Sequence, residues 1–212
     1  MIRYDRSRRR FAIALSGLAG FVDAVGFLSA GGYFVSFMSG NTTRLGVAVG
    51  TNPTTALFPA LLLTGFLAGV TIGALVALRT GRLRKPAVLA LVTTLLLAGA
   101  AARAAGFERG MIAALVLAMG AINNTFQRGG EVTVGLTYMT GALVRLGQGL
   151  ALWLVGKAEP GWSVLGALWA GLLGGAVLGA FLQGRAPFWC LWAATGWAAI
   201  MTLLAFRLPA EA

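Results

Sequence analysis

Two stretches of the chain place polar side chains at the start of a short apolar helical pattern. Residues 33–50 read YFVSFMSGNTTRLGVAVG, and residues 132–149 read VTVGLTYMTGALVRLGQG. Each opens with β-favouring residues, turns through a small-residue trio and continues into a helical pattern that carries the triplet Arg-Leu-Gly. A helix that begins inside a membrane presents free N–H groups and a partial positive charge, which suits an anion. The pattern therefore predicts two broken elements, each an extended segment followed by a half-helix.

The predicted substrate site consists of residues at the start of these two half-helices. Glycine lets a ligand approach the backbone, and the hydroxyl and amide side chains add hydrogen-bonding groups. A cation one turn into a helix opposes the helix dipole, so both arginines need a reason, either a shared anionic substrate or snorkelling to the headgroups. Helix capping is the alternative role of the serine and threonine residues. The predicted substrate-binding residues are Ser39, Gly40, Asn41, Thr42, Thr43, Arg44, Met139, Thr140, Gly141 and Arg145.

Asp23 is the only acidic residue within the first apolar run. A carboxylate inside a membrane is costly, which makes it a functional candidate by default. Two roles fit Asp23: a proton or sodium coupling site or counter-ion to Arg44, and a structural role in which it bonds backbone groups freed by the broken element. Its counterpart Asn123, followed by Asn124, keeps the hydrogen-bonding shape without the charge, which favours the structural role in the second half.

Histidine is absent from the chain, and Cys190 is its one cysteine. The lack of histidine excludes Ser-His-Asp and Cys-His catalysis as well as histidine metal sites. A single cysteine excludes an internal disulfide and a multi-cysteine metal site. We therefore expect a protein that is not an enzyme, with no catalytic residues, no metal site and no cofactor.

The composition is that of an integral membrane protein. Of the 212 residues, 58% are hydrophobic and 11% are charged, and the mean hydropathy is +0.83. Soluble domains carry about a quarter charged residues. The net charge of +11 would suggest nucleic acid in a soluble chain, but here the basic residues flank apolar runs, as the positive-inside rule describes. We therefore expect membrane lipids as partners and no nucleic acid.

The apolar runs predict an all-α integral membrane protein, a single membrane domain over residues 1–212. Six runs are predicted to span the membrane, and the two broken elements are predicted to be re-entrant, each a strand followed by a half-helix. The predicted spans are residues 11–30, 54–78, 86–102, 111–126, 162–184 and 187–207.

The two halves of the chain match in an ordered series of motifs. Repeat one covers about residues 11–105, and repeat two covers about residues 109–207. Because the matches fall in the same order at similar offsets, they indicate an internal duplication. The matched pairs are Gly20-x-x-Asp23 with Gly120-x-x-Asn123, Gly31-Gly32 with Gly129-Gly130, Pro53 with Pro160, the GxxxGxxxG motifs at 65–73 and 171–179, and Pro86 with Pro187.

The orientation of the repeats depends on whether the broken elements cross the membrane. If they cross, lysine and arginine divide about nine inside to six outside. If they are re-entrant, the second half is inverted and the division becomes twelve to three, with Arg44 and Arg145 inside the broken elements. The positive-inside rule favours inverted repeats, which are common among secondary transporters. Both termini are then expected to be cytoplasmic.

Four motifs resemble those of the YoaK-like family of bacterial inner-membrane proteins. They are GFVDAVGFL, FVSFMSGNTTRLG, AMGAINNTF and TYMTGALVRLG, and the resemblance covers nearly the whole chain. Two positions depart from the family pattern, Ser39 where threonine is usual and Ala142 where a polar residue is common. The second departure predicts a weaker second half-site. The resemblance implies a multi-pass protein of the bacterial inner membrane, and the strand-then-half-helix elements also look like those of uracil-permease and sulfate-type anion transporters.

These observations favour a small secondary transporter or channel for a small anion or anionic metabolite. The solute would bind near the midplane between the starts of the two half-helices. The alternative is a non-transporting oligomeric scaffold or lipid-binding protein that associates through its glycine-rich helix faces. So small a bundle is also compatible with a homodimer.

Overall fold

The computed structural model describes residues 6–128, 131–132, 135–137, 139–157 and 161–208. Within these ranges the chain folds into eight α-helices and one pair of two-residue strands. The predicted matches that involve Gly129-Gly130 and Pro160 lie outside the described residues. The helices are α1 Arg6–Ser29, α2 Met38–Thr51, α3 Leu57–Thr80, α4 Arg84–Ala104, α5 Glu108–Ile122, α6 Met139–Leu154, α7 Trp162–Arg185 and α8 Pro187–Ala205, and the strands are β1 Gln127–Arg128 and β2 Glu131–Val132.

Helices α1 and α5 form the centre of the bundle. Leu15, Leu18 and Val22 of α1 and Leu115 and Met119 of α5 are fully buried. Helices α3 and α7 instead present large apolar side chains on their outer faces. A helix that is apolar on all sides fits a bilayer, where lipid replaces water around the bundle. The exposed apolar residues of α3 and α7 are Leu57, Leu61, Leu67, Ile72, Leu75, Leu78, Leu173, Val177, Leu178 and Phe181.

Four segments of the described chain are long and apolar enough to cross a membrane: Arg6–Ser29, Pro53–Ala104, Trp162–Arg185 and Pro187–Ala205. The 52-residue segment contains α3 and α4, which are separated by a turn at Gly81 with a positive φ of 50°. Glycine suits this turn because it has no side chain to clash in that conformation. Helix α5 has 15 residues and is shorter than the helices in these four segments. These segments and the apolar outer surface define the chain as an all-helical membrane protein.

Two interfaces between parallel helices use the predicted glycine motifs. In the α1–α7 interface, Gly171, Gly175 and Gly179 face Ile13, Gly17 and Phe21 in the same order. In the α3–α5 interface, Gly65, Gly69 and Gly73 face Val116, Leu117 and Ala121, also in the same order. The glycines let the backbones approach closely, which is the usual role of such motifs in membranes.

Helices α4 and α8 pack together in the antiparallel direction. Thr93 and Thr202 share a hydrogen bond of 3.0 Å between their hydroxyls, and Arg103 Nη1 lies 3.7 Å from Cys190 Sγ. The later residue of α4 thus contacts the earlier residue of α8, as in antiparallel helices. In addition, the ring of Phe11 at the start of α1 meets that of Phe126, just after α5, with centroids 6.2 Å apart.

The first broken element begins and ends at the same end of α3. Residues 33–37 join α1 to α2 in a non-helical conformation and pair with no strand. The rings of Tyr33, at the start of the element, and Phe58, just after it, are 5.0 Å apart in an edge-to-face contact. The end of α1 and the start of α3 therefore lie close together.

In the second half, β1 and β2 pair antiparallel, with Gln127 opposite Val132 and Arg128 opposite Glu131. The predicted extended segment after Val132 falls partly on residues 133–134 and 138, which lie outside the described ones. Helix α6 follows and packs on α7, where Gly149 lies against Trp162 and Gly166 against Leu146. The reversed order of these contacts makes α6 and α7 antiparallel.

Candidate functional site

Asp23 fixes the first extended segment to α1. Its Oδ1 atom accepts the backbone N–H groups of Val35 at 2.9 Å and Ser36 at 2.7 Å. These two N–H groups need a side-chain acceptor because buried donors require a partner and neither donates to a sheet or helix carbonyl in the described part of the chain. This contact matches the structural role predicted for Asp23, while the coupling role stays a prediction.

Asn41 completes this arrangement from the other side of the segment. Its side chain is fully buried, donates from Nδ2 to the Phe34 carbonyl at 2.7 Å and accepts the Phe34 N–H on Oδ1 at 3.1 Å. The amide thereby pairs with one residue as a neighbouring β-strand would. Asp23 and Asn41 with residues 34–36 form what we call the first backbone clamp.

The other predicted residues of α2 lie around its first turn. No side chain caps this helix within the described chain, and Ser39, Thr42 and Thr43 are exposed. The two threonine hydroxyls donate to carbonyls of the preceding turn, Thr42 to Met38 at 2.9 Å and Thr43 to Ser39 at 3.2 Å. Bonding of this kind is ordinary within helices and leaves the oxygen free to accept.

Gly40 and Arg44 lie one turn apart on the same face of α2. A Cβ atom at Gly40 would lie 2.7 Å from the Phe37 ring, so glycine allows this ring to cover the helix start. The Arg44 guanidinium lies 4.7 Å from the centroid of the Tyr33 ring. The aromatic contact explains how a cation is held so near a helix N-terminus, because the ring face attracts it.

A second set of contacts surrounds Asn123, whose position in the sequence matches that of Asp23. Asn123 is buried, donates from Nδ2 to the Met119 carbonyl at 2.9 Å and accepts the Thr137 hydroxyl on Oδ1 at 3.1 Å. Asn124 donates to the Val70 carbonyl of α3 at 3.0 Å. Both predicted asparagines therefore make structural contacts, and Thr137 stands where Ser36 stands in repeat one.

The predicted residues of α6 are divided between buried and exposed positions. Met139 is buried, whereas Thr140, Gly141 and Arg145 are exposed. Helix α6 packs on α7, and α2 packs on α3. The predicted site residues therefore form two groups, one in each repeat, and each group has its own neighbouring helix.

A cavity of about 250 Å³ lies beside Asp23. It is formed by α1, α7 and the ring of Phe34, and its remaining walls are apolar. Asp23 thus combines a structural contact with access to a cavity, and it is the only acidic residue within the described spanning segments.

Sequence reasoning missed a polar network near the ends of α1, α4, α7 and α8. Arg103 Nη1 donates to Gln183 Oε1 at 3.0 Å, the Cys190 thiol donates to the same oxygen at 2.8 Å, and Gln183 Nε2 donates to Ser29 Oγ at 3.3 Å. The four residues lie on four different helices, and each is unremarkable alone. The one available signal was an arginine at the end of an apolar run, which ordinarily indicates snorkelling.

The packing and the apolar surface place the chain in the class of multi-pass integral membrane proteins. A family described as "Protein of unknown function (DUF1275)" matches residues 11–204, and the chain belongs to this family. It is similar to "UPF0700 transmembrane protein RA0705" of Rhizobium meliloti (strain 1021), with 38% identity over 197 residues that cover 92% of this chain and 85% of the relative. No solved structure matches the chain. The expected membership of a YoaK-like membrane family is confirmed.

Proposed function

We propose that the protein is a small secondary transporter or channel for a small anion or anionic metabolite, built from two inverted repeats. It would reside in the bacterial inner membrane with both termini in the cytoplasm. The observation that supports this role best is the uncapped start of α2, fixed beside Asp23 by the first backbone clamp. Transporters of this kind bind solutes at half-helices inside the membrane.

The inverted arrangement is supported by the direction of matched helices. Helices α4 and α8 hold equivalent places in the two repeats, and they are antiparallel. The contact of Phe11 with Phe126 brings the start of α1 to the end of α5, its equivalent. Copies with the same orientation would place these two ends on opposite membrane surfaces.

Re-entry of the first broken element is supported by its depth and by its ends. Asp23 lies six residues before the end of α1, which corresponds to about 9 Å along the helix. Its bonds to Val35 and Ser36 therefore draw the extended segment below the membrane surface. The Tyr33–Phe58 contact returns the chain to the starting level.

Six spans require α5 to cross as well. Helix α5 continues into a 3₁₀ turn at Asn123–Thr125. Together these segments would extend about 28 Å, close to the hydrocarbon thickness of about 30 Å. The division of the 52-residue segment into α3 and α4 supplies the remaining crossing.

An anion is the solute class that suits the start of α2. The uncapped helix start carries a partial positive charge, Ser39 offers an exposed hydroxyl, and Arg44 lies one turn further. Asp23 already accepts donors that precede the helix, so it does not occupy the N–H groups of the first turn. The role requires no catalytic group.

Ligand-induced thermal stabilisation of the purified full-length protein tests the proposal. The panel is chloride, nitrate, sulfate, phosphate, acetate and succinate, and the variants are Ser39→Ala, Arg44→Gln and Arg145→Gln. Arg185→Gln is the matched control, because Arg185 also lies over an aromatic ring, 4.6 Å from the centroid of Phe181, but on α7. A ligand that binds only the folded state raises the melting temperature, and the rise grows with the logarithm of the ratio of ligand concentration to Kd once this ratio is large.

The expected result is stabilisation by one class of anion that Arg44→Gln and Ser39→Ala reduce and Arg185→Gln does not. Asp23→Asn adds a test of coupling, because the amide keeps the oxygen that holds the clamp but removes the charge. Stabilisation by cations or neutral solutes alone would refute the anion assignment. If no solute stabilises the protein and reconstituted vesicles take up none, the non-transporting scaffold replaces the transporter.

A further inference from the structure

A second and larger cavity lies between α3 and α5, and it shares no lining residue with the Asp23 cavity. Its volume is about 710 Å³, within the range of about 300–1,000 Å³ that is typical of ligand sites. Its walls are predominantly apolar, and they include Leu61 and Leu62 of α3 and Ile112, Ala113 and Val116 of α5. We call it the α3–α5 cavity.

The polar groups of this cavity are gathered at one end. Tyr33, Thr54, Thr55 and Arg109 precede or begin the two helices, whereas the apolar walls lie further along them. Because α3 and α5 are parallel, both helices run from the polar end towards the apolar end. The cavity narrows at Gly65, where a Cβ atom would lie 3.2 Å from Val116 Cγ1. This polarity matches an amphiphile with its headgroup at the helix starts and its tail between the helices.

The charge at the polar end is positive. Arg109 is the one charged side chain among the described lining residues, and it is exposed. Glu108, its neighbour in sequence, does not line the cavity. A guanidinium suits a phosphate group because its N–H donors match two oxygens at once. The apolar walls, in turn, favour an alkyl chain over a free inorganic anion.

We propose that the α3–α5 cavity binds one acyl chain of an anionic phospholipid from the surrounding bilayer, with the headgroup phosphate at Arg109. This site goes beyond the proposed transport role, because it uses none of the residues at the starts of α2 and α6. An anionic headgroup is attracted to Arg109, and this attraction adds to the free energy of burying the acyl chain. An anionic lipid is therefore expected to bind more tightly than a zwitterionic lipid with acyl chains of the same length.

Native mass spectrometry and thermal unfolding of the full-length protein test this proposal with phosphatidylglycerol and phosphatidylcholine of matched chains. The wild type is expected to retain one phosphatidylglycerol and to gain more thermal stability from it than from phosphatidylcholine. Arg109→Gln is expected to weaken phosphatidylglycerol binding about tenfold, the scale of one charge-assisted hydrogen bond, and to remove the preference between the two lipids. Arg185→Gln, at another exposed arginine, is expected to retain the preference.

A second variant tests the cavity itself. Ala113 lines it and is exposed, so Ala113→Leu fills the space and is expected to weaken both lipids alike. Ala101→Leu, at an exposed position of α4, is the matched control. Equal lipid binding by Ala113→Leu and the wild type would overturn the placement. Unchanged lipid preference in Arg109→Gln, or equal stabilisation by inorganic phosphate, would overturn the assignment to a phospholipid headgroup.

Discussion

The α1–α7 and α3–α5 interfaces use matching glycines, yet they differ at the position where their helices start to separate. In the first, a Cβ atom at Gly171 would lie 2.9 Å from the Ile13 carbonyl oxygen, and the Ser16 hydroxyl donates to the Leu168 carbonyl at 3.0 Å. In the second, the matching Gly65 faces only the side chain of Val116, which stands where Ser16 stands in repeat one. A polar contact therefore closes one interface, and the other opens into the α3–α5 cavity.

Apart from this difference, the two interfaces pack in a similar way. The glycines deeper in both interfaces meet backbone, so both pairs of helices are held together in the same way. The positions that differ, Ser16 and Val116, lie nearer the helix starts. Valine has no hydroxyl, so the hydrogen bond that Ser16 makes between helices has no equivalent at Val116. The two interfaces thus share these backbone contacts, while the α3–α5 cavity lies at one of them.

The largest effects are expected where both interfaces are equally tight. Gly175→Ala would place a methyl group on the Gly17 carbonyl, and Gly69→Ala would place one on the Leu117 carbonyl. Each variant is expected to lose about 3 kcal/mol of unfolding free energy, because a backbone atom cannot move aside as a side chain can. Unfolding in detergent measures the loss. Gly174→Ala is the control, since nothing lies within 4 Å of a Cβ there, and an equal loss in Gly174→Ala would refute the account of close packing.

A smaller loss of unfolding free energy is expected to differ between the two interfaces. Gly171→Ala is expected to lose about 1 kcal/mol more than Gly65→Ala, because Gly171 faces a carbonyl and Gly65 faces a movable side chain. Paired unfolding curves of the two variants under one set of conditions measure this difference. If Gly65→Ala is the more damaging substitution, the α3–α5 interface is the tighter one and the comparison is reversed.

The smallest effect concerns the hydroxyl that closes the α1–α7 interface. Ser16→Ala is expected to cost about 0.6 kcal/mol, the average for hydrogen bonds between membrane helices. Thr64→Ala is the control, because the Thr64 hydroxyl is exposed and donates within its own helix to the Ala60 carbonyl at 3.0 Å. The same unfolding measurement applies, and a cost for Thr64→Ala as large as for Ser16→Ala would mean that Ser16 contributes nothing specific to the interface.

Much of the framework could be predicted from the sequence, because apolar runs and their Gly, Pro and Arg boundaries are local signals. The predicted span 162–184 became Trp162–Arg185, and the predicted span 54–78 became Leu57–Thr80. The bond from Asp23 to the extended segment was one of two predicted roles. The predicted strand did not form at residues 33–37, because its backbone groups bond to side chains instead of to another strand.

The contacts between distant parts of the chain could not be predicted. Asn41 was selected as a ligand-binding residue from its place at a helix start, yet its amide oxygen and its amide nitrogen both bond to the backbone of Phe34, which lies in the irregular segment before the helix. The α3–α5 cavity depends on how two helices diverge, which no local pattern encodes. Arg109 lies between the predicted spans 86–102 and 111–126 and was, for the same reason, assigned no role.

Inverted copies with re-entrant elements and parallel copies with crossing elements place two loop residues on different sides of the membrane. Labelling of these two residues distinguishes the two arrangements. Thr54 and Lys157 are exposed and follow α2 and α6, respectively. Single cysteines at these positions, in a background where Cys190 is replaced by serine, would be labelled in intact cells and in inverted vesicles with a reagent that does not cross membranes. Inverted repeats predict labelling of Thr54→Cys from outside and of Lys157→Cys from inside. Labelling of both from the same side would contradict the account, because that is the result for two parallel copies whose broken elements cross the membrane.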